Sequence, residues 1–330
     1  MTAARIVCVG AGRMGRGIAH VFAYAGHRVT VIDAKPREGN EAARLLAAAE
    51  AEVRGDLEFL RTLGVLAEAQ VTAILARISW VGREAAEAAL AGADFVFEAV
   101  REVIVAKRDG FALIAGAAPE AAIVASTTST LPVARLAELI AGPGRFVNAH
   151  WLNPAFLIPL VEVSPGPETA DETVNALTAL LKAVGKVPVV CAARPGYIVP
   201  RLQAVAMNEA ARMVEEGVAS AEDIDTAIRV GFGIRYAVLG LLEFVDFGGG
   251  DILYYASRHL KEALGSERYE MPEIVRRNME EGKLGLATGQ GFYDFRGLDA
   301  QAYRRNKLAN FVRLLEHLKL MPAPGGETSD

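Results

Sequence analysis

The pattern of hydrophobic positions divides the chain into two parts that differ in predicted secondary structure. Up to about Ala193, short apolar runs rich in β-branched residues alternate with helical stretches, which is typical of a parallel sheet covered by helices on both faces. We predict seven strands in this part, at Ile6–Val9, Arg28–Asp33, Phe95–Glu98, Ile123–Ser126, Phe146–His150, Leu160–Ser164 and Val187–Cys191. The pattern therefore predicts a doubly wound α/β domain.

The hydrophobic pattern changes at Pro195-Gly196, after which apolar residues recur with the period of an α-helix. We therefore predict an α/β domain over 1–194 and an all-helical C-terminal domain over 195–330. Within the second domain, Ser220-Ala-Glu-Asp223 resembles a capping box and predicts a helix start. The Pro/Gly-rich tail from Pro322 onward is expected to be frayed.

Composition and charge restrict the possible partners. The 330 residues are 52% hydrophobic and 23% charged, with a net charge of −5, as in a soluble globular protein of two domains. The excess of acid, without any block of basic residues, argues against nucleic acid, and the apolar runs are too short to cross a membrane. The N-terminus does not resemble a signal peptide, and Cys8 and Cys191 lie in apolar runs, so we expect reduced thiols and a cytoplasmic location.

A glycine-rich segment, Gly10-Ala-Gly12-Arg13-Met14-Gly15, directly follows the first predicted strand and opens a helix. The first glycine permits the tight turn, the second lets a pyrophosphate approach the backbone, and the third allows close packing of helix on strand. The free N–H groups of the helix N-terminus suit phosphates. The segment predicts a Rossmann-type dinucleotide site that includes Arg13 and Met14.

An aspartate at the end of the second predicted strand bears on the choice of dinucleotide. Asp33 follows the glycines by about 20 residues, where its carboxylate can accept both ribose hydroxyls of the adenosine and repel a 2′-phosphate. NAD is thus favoured over NADP. Lys35 and Arg37 lie close enough in sequence to weaken that repulsion.

A histidine and a glutamate occupy neighbouring predicted strands. His150 ends a strand at the carboxyl edge of the sheet, where doubly wound folds bind ligands, and Glu162 lies in the next apolar strand. A buried carboxylate needs a partner, and one that fixes the imidazole tautomer would make His150 a general base for an alcohol proton. Spacing alone leaves a structural histidine equally open. The remaining histidines have no such partner and are predicted to be structural or surface residues: His20, His27, His259 and His317.

Taken together, these segments resemble the 3-hydroxyacyl-CoA dehydrogenase superfamily over nearly the whole chain. The resemblance extends to further segments, namely Phe97–Glu102 with Lys107, Ser126–Thr130, Gly196–Leu202 and Thr288–Tyr293. It implies His150 as the base, Glu162 as its orienting partner, Ser129 as a hydroxyl on the substrate oxygen and Asn153 as a substrate-side amide. It also implies that Glu102 and Lys107 lie against the cofactor, that the helical domain closes over the substrate, and that the protein is a homodimer. Metal is not among the implied groups.

Three departures from the family pattern bear on the substrate. Pro200 stands where the family has an Asn, and Ser126-Thr-Thr-Ser129 lacks one amide near the nicotinamide. The segment from Glu38 to Arg77 has no lysine, and its seven acids outnumber its four arginines. Such a segment is a poor electrostatic match for the phosphates of coenzyme A.

Two stretches, Leu57–Gly64 and Gly231–Ala237, are similar to the branch that contains L-gulonate 3-dehydrogenase and lambda-crystallin. Enzymes of this branch oxidise free 3-hydroxy acids, whose carboxylate suits a guanidinium. Arg235 is the candidate for that contact, and an arginine at a helix end or dimer interface is the alternative.

The leading interpretation is an NAD-dependent L-3-hydroxyacyl-CoA dehydrogenase for short substrates such as 3-hydroxybutyryl-CoA. The alternative is a dehydrogenase of a free 3-hydroxy acid such as L-gulonate or L-carnitine. A third possibility is a structural protein that binds NAD without turnover, and the presence of both His150 and Glu162 argues against it.

Overall fold

The computed structural model describes residues 4–322, so the predicted fraying of the tail concerns residues almost all of which lie outside the described range. The chain divides into two compact units, with the division between Ala206 and Met207. The first unit is an α/β layer structure, and the second is built mainly from helices. Among the described residues, no helix is both long and apolar enough to cross a membrane.

One eight-stranded sheet organises the first unit. Its strands are β1 (Arg5–Val9), β2 (Arg28–Ile32), β3 (Ile78–Val81), β4 (Phe95–Glu98), β5 (Ile123–Ser126), β6 (Phe146–Trp151), β7 (Leu160–Pro165) and β8 (Val187–Val190). Their order across the sheet is β3-β2-β1-β4-β5-β6-β7-β8, and the first six run parallel. The predicted doubly wound fold class is confirmed.

The last two strands run against the others, which corrects the prediction of a wholly parallel sheet. β6 and β7 pair antiparallel, and β8 is parallel to β7. The connection from 152 to 159 is too short for the crossover that parallel strands require, so the chain turns back beside β6. This reversal places His150 directly opposite Glu162 in the strand register.

Helices cover both faces of the sheet. They are α1 (Arg13–Tyr24), α2 (Glu41–Thr62), α3 (Glu68–Leu75), α4 (Ala86–Leu90), α5 (Ile104–Ala117), α6 (Val133–Ala137) and α7 (Asp171–Ala183). Alternate residues of β1 enter separate cores: Ile6 and Cys8 pack on one side, and Val7 and Val9 on the other. The central strands are therefore buried on both faces, as their apolar sequences predict, while residues of the edge strands β3 and β8 are partly exposed.

The second unit confirms the predicted helical character of the C-terminal part. The helices from residue 199 onward are α8 (Val199–Glu215), α9 (Ala221–Ala227), α10 (Ile234–Val238), α11 (Leu241–Gly248), α12 (Gly250–Leu264), α13 (Glu273–Glu280) and α14 (Ala300–His317), and the division between the units falls within α8. Ser220 caps α9, since its Oγ accepts the Asp223 N–H at 3.1 Å, as the capping pattern predicts.

Candidate active site

The glycine-rich turn joins β1 to α1 at the carboxyl edge of the sheet. Gly10 has a φ of +121°, and a Cβ there would lie 2.5 Å from the Ala99 carbonyl oxygen. A Cβ on Gly15 would lie 1.9 Å from the Gly10 carbonyl oxygen, so helix and turn approach as closely as the motif predicts.

Gly12 has a different role, because the space around it is open. The nearest atom to a Cβ built on Gly12 is the Ala99 carbonyl oxygen at 4.0 Å, so a side chain here would project into the adjoining cavities rather than into protein. The absence of a side chain at Gly12 therefore keeps a cradle free in front of the α1 N-terminus, as a pyrophosphate requires.

Two cavities meet at this cradle and share Gly12, Ala99, Val100 and Arg101. The smaller, of about 210 Å³, lies beside Asp33 and Arg37. The larger, of about 730 Å³, reaches Arg13, Met14, Glu102, Ser129, His150 and Asn153. An extended dinucleotide, with its adenosine beside Asp33 and its nicotinamide beside His150, fits this pair of cavities.

Asp33 does not stand alone in the smaller cavity. Its side chain is nearly buried, and Arg37 donates to it from Nε at 2.8 Å and from Nη2 at 3.4 Å. Arg37 also pairs with Glu41 at 2.6 Å. The guanidinium thus offsets the charge on Asp33 while leaving the carboxylate beside the cavity.

His150 is held between a carboxylate and a hydroxyl. Its Nδ1 lies 2.7 Å from Glu162 Oε2, and its Nε2 lies 3.1 Å from Ser129 Oγ. The other oxygen of Glu162 accepts the N–H groups of Ile198 and Val199, at 2.9 and 2.8 Å, where α8 begins. Glu162 is fully buried with both oxygens engaged.

These contacts define the histidine tautomer. Because a carboxylate accepts hydrogen bonds, Nδ1 of His150 carries the hydrogen, and Nε2 presents its lone pair towards Ser129 and the larger cavity. A lone pair at the cavity wall is what a general base for a substrate hydroxyl needs.

Tyr197 supports this arrangement, and the sequence interpretation missed it. Its φ is +40°, its ring centroid lies 5.3 Å from that of His150, and its hydroxyl donates to the Thr128 carbonyl at 3.1 Å. Burial raises the pKa of Tyr197 well above its usual range, so the hydroxyl stays a donor. The signal available in the sequence was its position after Gly196, beside the start of α8.

Glu102 holds the loop that carries Ser129. Its Oε1 accepts the N–H groups of Ser129, Thr130 and Leu131 at 2.9, 2.8 and 3.2 Å. Burial alone would raise the pKa of Glu102, but the hydrogen bonds from Thr128 and the backbone, together with Lys107, lower it to about 2. Glu102 also lines the larger cavity, so the predicted position against the cofactor is available to it.

Lys107 requires a correction. Its side chain is fully buried, and its Nζ lies 2.9 Å from Glu98 Oε2 and 3.4 Å from Glu102 Oε2. A lysine without exposed surface cannot touch a ligand in the cavity, so the predicted direct contact with the cofactor is replaced by an ion pair behind Glu102. Glu98, also fully buried, is the partner that the sequence interpretation missed.

Asn153, Pro200 and Gln203 also line the larger cavity. Asn153 follows β6 on the 152–159 connection, while Pro200 and Gln203 lie one turn apart on α8. Pro200 thus faces the cavity without a polar group, and Gln203, which the sequence interpretation did not single out, supplies an amide on the same face.

Arg235 lies in the second unit, on α10, and is exposed. Its guanidinium carbon lies 5.5 Å from the centroid of the Phe244 ring, and within residues 4–322 no carboxylate pairs with it. Its role in binding a substrate carboxylate stays a prediction.

The acidic segment, Glu38–Arg77, spans α2 and α3. Two of its four arginines are paired within α2: Arg54 with Glu50 at 3.0 Å and Arg61 with Glu58 at 2.5 Å. This internal pairing reduces further the positive charge that the segment can offer to the phosphates of coenzyme A.

Comparison with known proteins assigns both parts of the chain. Residues 5–194 match the family model of the 3-hydroxyacyl-CoA dehydrogenase NAD binding domain, and residues 196–295 match that of the C-terminal domain. The predicted superfamily and the predicted NAD cofactor are confirmed.

Relatives match along most of their length. The 3-hydroxybutyryl-CoA dehydrogenase of Bradyrhizobium diazoefficiens is 35% identical over 89% of this chain and 96% of its own. The 5-formyl-3-hydroxy-2-methylpyridine 4-carboxylate 5-dehydrogenase of Mesorhizobium japonicum is 33% identical over 94% of this chain and 98% of its own. A crystal structure of a 3-hydroxyacyl-CoA dehydrogenase from Archaeoglobus fulgidus superposes with a TM-score of 0.75 at 29% identity, covering 96% of this chain and all of that one.

Proposed function

The chain belongs to the 3-hydroxyacyl-CoA dehydrogenase family, and on that premise we propose that it oxidises short L-3-hydroxyacyl-CoA substrates such as 3-hydroxybutyryl-CoA. It is an NAD-dependent oxidoreductase acting on a CH–OH group. The observation that carries the proposal is His150, held by Glu162 with its free nitrogen facing a cavity that continues to the glycine-rich turn.

The residues present fit NAD. Gly12 and the N-terminus of α1 would hold the pyrophosphate, and Asp33 would accept the adenosine ribose hydroxyls. When bound, NAD supplies the hydride acceptor.

His150 accepts the proton of the substrate hydroxyl. As the carbinol C–H bond breaks and its electron pair leaves as hydride, the O–H bond breaks and its proton passes to Nε2 of His150, leaving a carbonyl. The resulting imidazolium is stabilised by the Glu162 carboxylate at 2.7 Å. The Ser129 hydroxyl, 3.1 Å from Nε2, is within reach of the same substrate oxygen.

Orientation of the acyl group falls to the amide groups of the cavity. Asn153 and Gln203 both line it, and each can donate to the carbonyl at C1 of a 3-hydroxyacyl group. Such donors suit a neutral thioester carbonyl as well as a carboxylate.

A second candidate, a free 3-hydroxy acid such as L-gulonate or L-carnitine, rests on three observations. The Glu38–Arg77 segment has no lysine, two of its arginines are paired internally, and the Mesorhizobium japonicum relative is named for a pyridine carboxylate without coenzyme A. Arg235 would be the partner of the free carboxylate.

The test compares NADH oxidation with acetoacetyl-CoA against NAD reduction with L-gulonate, L-carnitine and free 3-hydroxybutyrate. Higher kcat/KM with acetoacetyl-CoA supports the proposal and assigns Arg235 to packing. Turnover of the free acids alone would overturn it in favour of the second candidate. An Arg235→Met variant, compared with Arg229→Met on the neighbouring turn, then decides whether that guanidinium binds the carboxylate.

We further propose that the protein is a cytoplasmic homodimer. The family resemblance implies the dimer, and apolar side chains left exposed on the helices of the second unit support it, including Met207, Val214, Ile252 and Tyr255.

A further inference from the structure

A buried lysine contacts the 152–159 connection, which carries Asn153. Lys186 immediately precedes β8 and is 7% exposed, yet no carboxylate within residues 4–322 pairs with it. Its Nζ instead donates to the carbonyls of Ala155 and Ile158, at 2.6 and 2.9 Å. A desolvated ammonium needs such partners, and both carbonyls belong to the 152–159 connection.

The two carbonyls lie in a closed turn. The N–H groups of Leu157 and Ile158 donate to the Pro154 carbonyl at 3.0 and 2.9 Å, so the connection forms a single tight turn directly after Asn153. The ammonium lies against its carbonyl-rich end, where a positive charge is favourable. Lys186 Nζ also lies 5.8 Å from the ring centroid of Trp151, the residue after His150.

The same turn also packs on helix α1, whose N-terminus lies at the glycine-rich turn. A Cβ on Gly17 would lie 2.9 Å from Ala155 Cβ, and the His20 ring stacks on Phe156 with centroids 4.6 Å apart and planes inclined by 10°. Burial, followed by the charge of Lys186, lowers the pKa of His20 to about 4, so the stacked ring is neutral at physiological pH. The turn thus contacts both α1 and Lys186.

We propose that Lys186 is a positioning residue for the substrate. By binding the carbonyls of Ala155 and Ile158, its ammonium fixes the turn and so positions the Asn153 amide relative to His150 at the wall of the larger cavity. The inference rests on the proposed function, because it takes Asn153 as a substrate contact. It extends that function to a residue that does not line the cavity.

The test is a double-mutant cycle of Lys186→Met and Asn153→Ala, measured with whichever substrate the wild-type enzyme turns over. Lys186→Met should raise the substrate KM about tenfold, with the dissociation constant of NADH unchanged. The double variant should match Asn153→Ala alone, because a misplaced amide and a missing one lose the same contact. Lys186→Arg, which keeps two donors, should recover most of the wild-type KM.

Lys182→Met is the matched control, since Lys182 lies exposed on the last turn of α7 and should leave every value unchanged. Effects that multiply in the double variant, or a wild-type KM in Lys186→Met, would overturn the inference. Should Lys186→Met not fold, Gly17→Ala displaces the same turn through Ala155 and should raise the substrate KM in the same way.

Hydrogen exchange separates this inference from the proposed function. In Lys186→Met the amides of Leu157 and Ile158 should exchange faster than in wild type and in Lys182→Met. Unchanged exchange would overturn the inference whatever the substrate. Faster exchange, combined with no turnover of any compound in the substrate comparison, would support the structural role of Lys186 and would count against the proposed function.

Discussion

We propose that two side chains, Asp33 and Arg37, together determine the choice between NAD and NADP. Arg37 holds Asp33 in place at 2.8 Å, and Asp33 in turn keeps that guanidinium occupied. We expect Asp33→Ala to shift the kcat/KM ratio towards NADP by about 10- to 100-fold, because the repulsion disappears and Arg37 becomes free to bind the 2′-phosphate.

The matched control is Asp33→Ala combined with Arg37→Ala, which should lose most of the gain with NADP. Steady-state rates with both cofactors at one substrate concentration measure this. An unchanged cofactor ratio in Asp33→Ala would mean that Asp33 does not contact the ribose.

The residue types alone predicted the glycine-rich turn, because a side chain would collide with the backbone at Gly10 and Gly15 and would enter the cavities at Gly12. It also predicted that Glu162 pairs with His150, since a buried carboxylate needs a hydrogen-bond partner. It failed for Lys107, because the residues around it in the sequence do not reveal that a second buried carboxylate, Glu98, pairs with it.

At the scale of elements, a single carboxylate, Glu102, holds the Ser129 loop. Glu102 accepts three consecutive backbone N–H groups there, and its folded-state pKa of about 2 lies below the ordinary value of 4.5. A carboxylate with a depressed pKa contributes stability that is complete above the unfolded-state pKa and is lost as pH falls through the folded-state pKa. The relevant window therefore runs from 4.5 down to 2.

We expect Glu102→Gln to be less stable than wild type by a margin that is constant above about pH 5 and shrinks steadily towards pH 3. Urea unfolding of both proteins across this range measures the margin. A margin that stays constant down to pH 3 would show that the Glu102 charge does not hold the loop.

Elements were predicted where their signal was local. The strand β3 was missed because its four residues follow α3 after a short turn and form a partly exposed edge, so neither a long apolar run nor strict alternation marks them. The reversal of β7 was missed because direction depends on the length of the 152–159 connection rather than on the strand itself. That reversal is what brings His150 and Glu162 into register.

For the molecule as a whole, exposed apolar surface predicts self-association. Val205, Met207 and Ile252 are each more than 60% exposed, and α8 and α12 contain no buried residue. A dimer interface would cover such surface. Sedimentation at micromolar concentration should therefore give twice the chain mass, and a monomer there would refute the homodimer.

The most direct test of the account is the turnover of Glu162→Gln. Oε1 at position 162 accepts the N–H groups of Ile198 and Val199, so the Gln amide nitrogen would face Nδ1 of His150 and move the imidazole hydrogen to Nε2. The base would then lack its lone pair. We predict a fall in kcat of about 10²- to 10⁴-fold, with NADH affinity unchanged by fluorescence titration. A variant that turns over as fast as wild type would contradict the role of His150 as the general base.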